Sequence, residues 1–283
     1  MDTLTLEHAL AEAGLKSRAG ELARLARPSL RLGSTLAPDE AALALGVSKL
    51  GGQPDLPHGE PWPERQGKPL AFVAQLRLAD LAVFDLALPP DGTLLFFYDA
   101  AQEVDGTDPA ARDGWRVLYA PAGQALQRAP APEALPKEAR FHPCALAPAA
   151  ELTLPQDVQA LLPQERQLSE KEQESYETFQ SKLAGAQRGG AAVHRALGYP
   201  DQIQDNVLVE AALAAHGLSD PQDPQFAAVS GAAPAEWTLL LQLDSDPQAG
   251  MRWSSSGMLY YAIPRAALRR QDFSQTWLVM QAE

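Results

Sequence analysis

Five histidines, a single cysteine and a scatter of carboxylates are the residues of this chain that could carry chemistry. His142 and Cys144 stand close together in "HPC". A thiolate beside an imidazole could act as a nucleophile and its base, or supply half of a metal site. Either use needs further groups, and the neighbouring sequence offers none. With Pro143 between them, both residues are expected to be structural. His8, His58, His194 and His216 form no H-E-x-x-H pattern, which would set two ligands on one helix face. Asp244 and Asp246, in "DSD", could hold a divalent cation. Aspartates at a strand end also favour the turn that follows, and that is the role expected here. No G-x-S-x-G elbow is present. No G-x-G-x-x-G follows a strand, and the Gly-Lys ending "GEPWPERQGK" lacks the spacing of a phosphate-cradling loop. No catalytic residue, metal or cofactor is therefore expected, and the chain does not read as an enzyme.

Charge is more informative. The 283 residues carry 23 basic against 36 acidic side chains, a formal net charge of -13. A nucleic-acid binder usually shows a basic stripe, so that class is disfavoured, as is an anionic membrane surface. Between Arg195 and Arg252 there is no lysine or arginine, yet the stretch holds Asp201, Asp205, Glu210, Asp220, Asp223, Glu236, Asp244 and Asp246. A second acid-rich block covers 151–180. Acids gathered on one face would attract a basic partner and speed its association. The lone cysteine excludes an internal disulfide. The N-terminal "MDTLTLEHALAEAG" lacks the basic region and apolar core of a signal peptide, and no apolar run reaches the ~18 residues of a membrane span. A cytoplasmic protein is the expectation.

The elements that must position these groups are partly legible. Residues 3–27 read as helical, with Gly14 and Gly20 weakening the middle and Pro28 ending it. Residues 69–78 read as a strand with Phe72, Ala74 and Leu76 on one face and Val73, Gln75 and Arg77 on the other. The turn signal "PPDG" delivers a strand at 93–99, and 115–120 is a third. Residues 121–150, rich in Ala and Pro, read as irregular connection. Residues 168–185 are the clearest helix, opened by a capping box of Ser169 and Glu172 and closed by Gly185. Residues 193–206 break at Tyr199–Pro200. Near the end, 236–246, 257–264, 265–273 and 276–281 read as strand, strand, helical turn and strand. "FVAQLRL…PPDGTLLFFYD" and "LLLQLDS…SSSGMLYYAIP" share a frame in Gln75–Leu76 with Gly92 and Gln242–Leu243 with Gly257. The echo predicts two related antiparallel β pairs, an internal pseudo-repeat of β-sheets flanked by helices, all in one domain over 1–283.

Taken together, "SKLGGQPDLPHGEPWP" (48–63), "KPLAFVAQLRLADL" (68–81), "DGTLLFFYD" (91–99), "HRALGYPDQIQDN" (194–206), "WTLLLQLDSD" (237–246) and "GMLYYAIPRAALRRQDFSQTWLVMQ" (257–281) resemble the YwqG-like family of bacterial proteins, a domain of unknown function. The resemblance spans roughly 45–281. It implies an α+β fold with antiparallel sheets, and it brings no established catalytic residues. Some similar proteins look like immunity proteins that neutralise secreted toxins, including nucleases. Relatives tend to carry a Gly-Asp pair before the glycine of the penultimate strand, where this chain has Ser254 and Ser255 in "RWSSSG". The Gly/Pro-rich loop at 51–63 with Trp62 recurs in similar proteins, which implies an architectural loop pinned by the buried indole.

Two functions follow as expectations. The first is an immunity protein that blocks a basic toxin, such as a nuclease, with Asp201, Asp205, Asp220, Asp223, Asp244 and Asp246 as the partner-binding residues. The second is a small-molecule-binding protein or enzyme with a pocket near the 51–63 loop, rimmed by Asp55, His58 and Trp62.

Overall fold

Thr93–Tyr98 and Gly257–Pro264 are apolar on both faces, which leaves neither a solvated side. Each must become an inner strand covered on both sides. In the computed structural model, which describes residues 2–81, 88–188 and 191–283, they belong to one ten-stranded sheet. Its strands in chain order are β1 (Arg27–Leu36), β2 (Lys49–Leu50), β3 (Ala71–Arg77), β4 (Thr93–Tyr98), β5 (Trp115–Ala120), β6 (Cys144–Thr153), β7 (His194–Ala196), β8 (Trp237–Asp244), β9 (Gly257–Pro264) and β10 (Trp277–Ala282). Their spatial order is β10-β9-β8-β7-β1-β6-β2-β3-β4-β5. Every neighbouring pair is antiparallel.

That order is symmetric about its centre. The strands β2–β5 run outward on one side and β7–β10 on the other, so the expected pseudo-repeat is present. The first strands of the two halves are exchanged: β1 sits against β7, and β6 sits against β2. The equivalence extends to irregularities. β3 bulges between Phe72 and Ala74, and β8 bulges between Leu239 and Leu241. The rings of Phe96 and Tyr261, which pair with Ala74 and Leu241, meet at 5.0 Å between centroids. The sheet therefore folds back on itself around the main core.

The two outer strands nearly close the structure. Trp115 Nε1 donates to the Thr276 carbonyl at 2.9 Å, and the Trp115 and Trp277 rings lie edge to face at 5.0 Å. Trp277 Nε1 donates to the Gly106 carbonyl at 2.8 Å. Gly106 has φ +90, and a Cβ there would stand 1.9 Å from the Leu278 oxygen, so only glycine fits this seam.

The helices α1 (Thr3–Leu10), α2 (Ala19–Arg24) and α3 (Glu170–Arg188) build a second core around Leu6, Leu10, Leu22, Val158 and Tyr176. Gly14, at φ +92, separates the first two. The capping box forms, with Ser169 N donating to Glu172 Oε2 at 3.0 Å. The helices α4 (Val207–Ala215) and α5 (Phe226–Glu236) pack together against the β8–β10 side, and α6 (Arg265–Arg269) follows β9.

Residues 121–150 are mainly irregular, as expected, but they also contain a short strand, Leu126–Arg128, and the start of β6, a central strand. Two expectations need correction. Gly185 does not end its helix, which runs on to Arg188. Phe72 does not share a face with Ala74 and Leu76, because the bulge sends its ring to the opposite cluster with Leu95 and Phe97.

Candidate functional site

Two loops of matching sequence leave the short strands β2 and β7. "VSKLGGQPD" (47–55) and "VHRALGYPD" (193–201) share the valine, a basic third residue, a glycine, the proline and the aspartate. Each loop needs two consecutive left-handed residues, Gly51 and Gly52 in one, Leu197 and Gly198 in the other. At the second position glycine is required in both. A Cβ on Gly52 would stand 2.0 Å from Glu40, and one on Gly198 would stand 2.5 Å from Thr153.

The buried glutamine of the adjacent long strand clamps each loop's aspartate. Asp55 N donates to Gln75 Oε1 at 3.0 Å, and Gln75 Nε2 donates to Asp55 Oδ2 and the Val47 carbonyl, both at 2.8 Å. In the other half Asp201 N donates to Gln242 Oε1 at 2.8 Å. Gln242 Nε2 donates to Asp201 Oδ2 at 3.2 Å and to the Val193 carbonyl at 3.0 Å. The Gln-Leu echo in the sequence thus marks the clamps.

A buried cation sits beside each clamp. Lys49 is fully buried, with Nζ 2.5 Å from Glu40 Oε1 and 3.9 Å from Asp55 Oδ1. Burial pushes its pKa down, against the pull of Glu40 and Asp55. Arg128 reaches in from the ribbon paired with Asp55–Pro57, its Nε 2.9 Å from Asp55 Oδ1. Burial would raise the Asp55 carboxyl, but Arg128, the Gly46 amide and Gln75 hold it below the usual range. In the second half Arg195 lies between Glu151, 2.6 Å from Nε, and Asp201, 2.7 Å from Nη1. Burial opposes its charge, but these two carboxylates outweigh it and push the pKa up. Such buried pairs fix geometry and add little net stability.

Behind the second cluster, His194 Nε2 lies 3.1 Å from Asp246 Oδ2, and Ser34 Oγ donates to the same oxygen at 2.6 Å. His194 Nδ1 accepts from Asp244 N at 3.2 Å, which makes Nε2 the protonated nitrogen of the neutral ring. The trio contains serine, histidine and aspartate, yet it is no nucleophilic triad. The hydroxyl bonds the carboxylate, and both ring nitrogens are engaged. Burial would raise the Asp246 carboxyl, but the bonds from His194, Ser34 and Gln248 N hold it at about 2. Ser48, equivalent to His194, makes the corresponding bonds: its Oγ donates to Asp80 Oδ2 at 2.7 Å and accepts from Arg77 N at 2.9 Å. Nearby Cys144 is fully buried, and burial, then Asp246, pushes its thiol up to about 11. That disfavours a thiolate nucleophile. His142 is exposed, and no metal-binding group of three or more side chains occurs among the described residues.

The six candidate contact aspartates divide. Asp246 is buried and bonded internally, so a docking partner cannot reach it. Asp201 is partly buried and neutralised by Arg195, and Asp244, also partly buried, accepts from Val193 N at 2.9 Å. Asp205 and Asp220 are exposed and Asp223 is partly exposed. Asp220 and Asp223 accept from Gln222 N and Gln225 N, at 2.9 and 2.8 Å, and shape the loop between α4 and α5. In the other candidate set, Asp55 is fully buried and so cannot stand at a pocket rim, while His58 is exposed. Trp62 packs edge to face on Phe97 at 5.7 Å and donates to the Leu70 carbonyl at 2.9 Å, which pins its loop over the sheet. Ser254 has φ +52, a left-handed position suited to the glycine that the resemblance leads one to expect.

The ionic roles of Lys49, Glu40, Arg128, Arg195 and Glu151 escaped the sequence reading. The repeated "GxPD" loops could have revealed the two basic residues, since each precedes its aspartate by the same interval. Of the carboxylate partners, Glu151 comes from β6, and Glu40 from a short helical turn preceding β2, and neither shares a motif with its basic residue. Two cavities flank the clusters. One of about 350 Å3 is lined by Thr153, Gln156, Gln180, Arg195, Tyr199 and Asp201. Its counterpart, about 640 Å3, includes Leu36, Glu40, Gly52, Gln53 and His142.

These features define an α+β protein of two intertwined halves, each with a clamped loop over a buried ionic cluster. The chain belongs to the family described as Domain of unknown function (DUF1963), which matches residues 48–282. The match begins after β1, although that strand lies at the centre of the sheet. A comparison with curated proteins finds no match.

Proposed function

We propose that this protein acts by binding rather than by catalysis, as a cytoplasmic, YwqG-like immunity protein that docks and blocks a basic toxin, a nuclease being the class considered. The observation that carries this reading is the base-free stretch 196–251 in a chain of net charge -13, with Asp205 and Asp220 exposed and Asp223 partly so. Their carboxylates would mimic the phosphate charge that a nuclease expects. Support also comes from the buried polar groups near the centre: Cys144, His194, Asp246 and Lys49 are shielded or paired inside the protein. No helix among the described residues is long and apolar enough to cross a membrane.

The test is co-expression with a toxin encoded beside the gene. The wild type should protect cells, and the triple variant Asp205→Lys, Asp220→Lys, Asp223→Lys should lose protection while keeping its melting temperature. Undiminished toxicity with the wild type, and no complex on gel filtration, would remove the proposal.

A further inference from the structure

A cavity of about 620 Å3 lies where α4 and α5 end, and its lining includes Arg112, Arg265, Arg269, His216, Glu236 and Trp277. Arg265 and Arg269 stand one turn apart on α6 and share a face. Arg112 comes from the turn Pro109–Gly114, where its guanidinium lies 4.7 Å from the Trp115 ring centre and donates to the Ser274 carbonyl. That arrangement fixes it in place before any ligand arrives.

None of these arginines is neutralised. Among the described residues, no carboxylate lies within ion-pair distance of Arg112, Arg265 or Arg269. Glu236 lines the cavity without pairing to any of them. Burial pushes Arg112 down to about 10, with Arg116 adding repulsion. Burial, then Arg27, also lowers Arg265, and Arg269 adds to it. Arg27 itself has a buried Nη1 with no hydrogen-bond partner. The C-terminal ends of α4 and α5 each supply about half a negative charge, which offsets only part of this excess. Three guanidinium groups against one carboxylate leave a local positive charge in a protein whose net charge is -13.

We propose that this cavity binds a small phosphorylated molecule. Arginines grip phosphate through paired hydrogen bonds, and a phosphate anion complements the positive charge that remains. His216 Nδ1 donates to the Ala212 carbonyl at 2.7 Å, which leaves Nε2 as an acceptor for a hydroxyl of the ligand. The volume falls within the range of roughly 300–1,000 Å3 usual for small-molecule sites. Nucleic acid is the poorer candidate, because the surrounding negative charge repels a long polyanion.

Calorimetry of the full-length protein with sodium pyrophosphate, in low-salt buffer free of other phosphate, tests the proposal. One saturable site is expected, weakened at least tenfold by Arg265→Ala and by Arg269→Ala, and tightened by Glu236→Gln. Arg252→Ala, which removes an exposed arginine outside the cavity lining, should bind as the wild type does. Arg269 is exposed, so its variant keeps the test valid if Arg265→Ala fails to fold. Absence of saturable heat, equal weakening by Arg252→Ala, or tighter binding of a thymidine decanucleotide would overturn it.

Discussion

At the scale of single residues, charge is managed by pairing inside the protein. Asp246 shows the effect most directly. Its carboxyl is held at about 2 against an ordinary 3.8, the net result of burial opposed by bonds from His194, Ser34 and the Gln248 amide. A lowered carboxyl pKa stabilises the fold above the unfolded value and loses that contribution as pH falls through the folded one. The linked stabilisation is about 2 kcal/mol near neutral pH. Asp246→Asn should therefore lower the unfolding free energy by about 2 kcal/mol at pH 7. The gap to the wild type should close as the pH drops from about 4 towards about 2. Urea titrations at several pH values measure this. A gap independent of pH would point to lost packing instead.

At the scale of elements, the paired loops show how one backbone is met by two side-chain solutions. Gly51 and Leu197 occupy equivalent left-handed positions at φ +54 and φ +65. The Leu197 side chain is buried in the main core. At Gly51 a Cβ would stand 2.4 Å from the His142 carbonyl, because residues 141–142 cross above it. Gly51→Ala should therefore cost more than about 2 kcal/mol, combining the left-handed penalty with the clash. Chemical denaturation would read the loss. An unchanged midpoint would mean that the crossing segment yields freely.

The same contrast explains how much was legible. The hairpins β3–β4 and β8–β9 announced themselves through apolar runs and a shared Gln-Leu frame. The central strands did not. "CALAPAAELT" is rich in alanine and contains Pro148, and "RPSLRLGSTL" contains a proline and a glycine. Their strand state comes from long-range pairing with one another, which overrides weak local preference. Pro148 is tolerated because β2 covers only Cys144 and Ala145 of β6. Asp201 shows a related limit: a string of acids says nothing about which of them an arginine on a neighbouring strand will claim.

At the scale of the whole molecule, negative charge is uneven. It dominates the 196–251 stretch, while arginines collect around the cavity beside α6. The exchange of β1 and β6 ties the halves together more firmly than a tandem repeat would. Each half lends its first strand to the other, so neither can complete its sheet alone. Fragments 1–140 and 141–283, prepared separately, should each lack a cooperative melting transition, and mixing them should restore one. A sharp transition in either fragment by itself would show that the exchanged strand is dispensable.

The position of β1 also bears on how the protein is made. Leu32 finds its β7 neighbour only at His194. At translation speeds of about 5–20 residues per second, that partner emerges on the order of ten seconds after β1 does. Throughout that interval the growing chain carries a strand with an open edge on the ribosome. Holdase chaperones or slow codons in the 36–144 region would then influence yield more than the stability of the finished protein does.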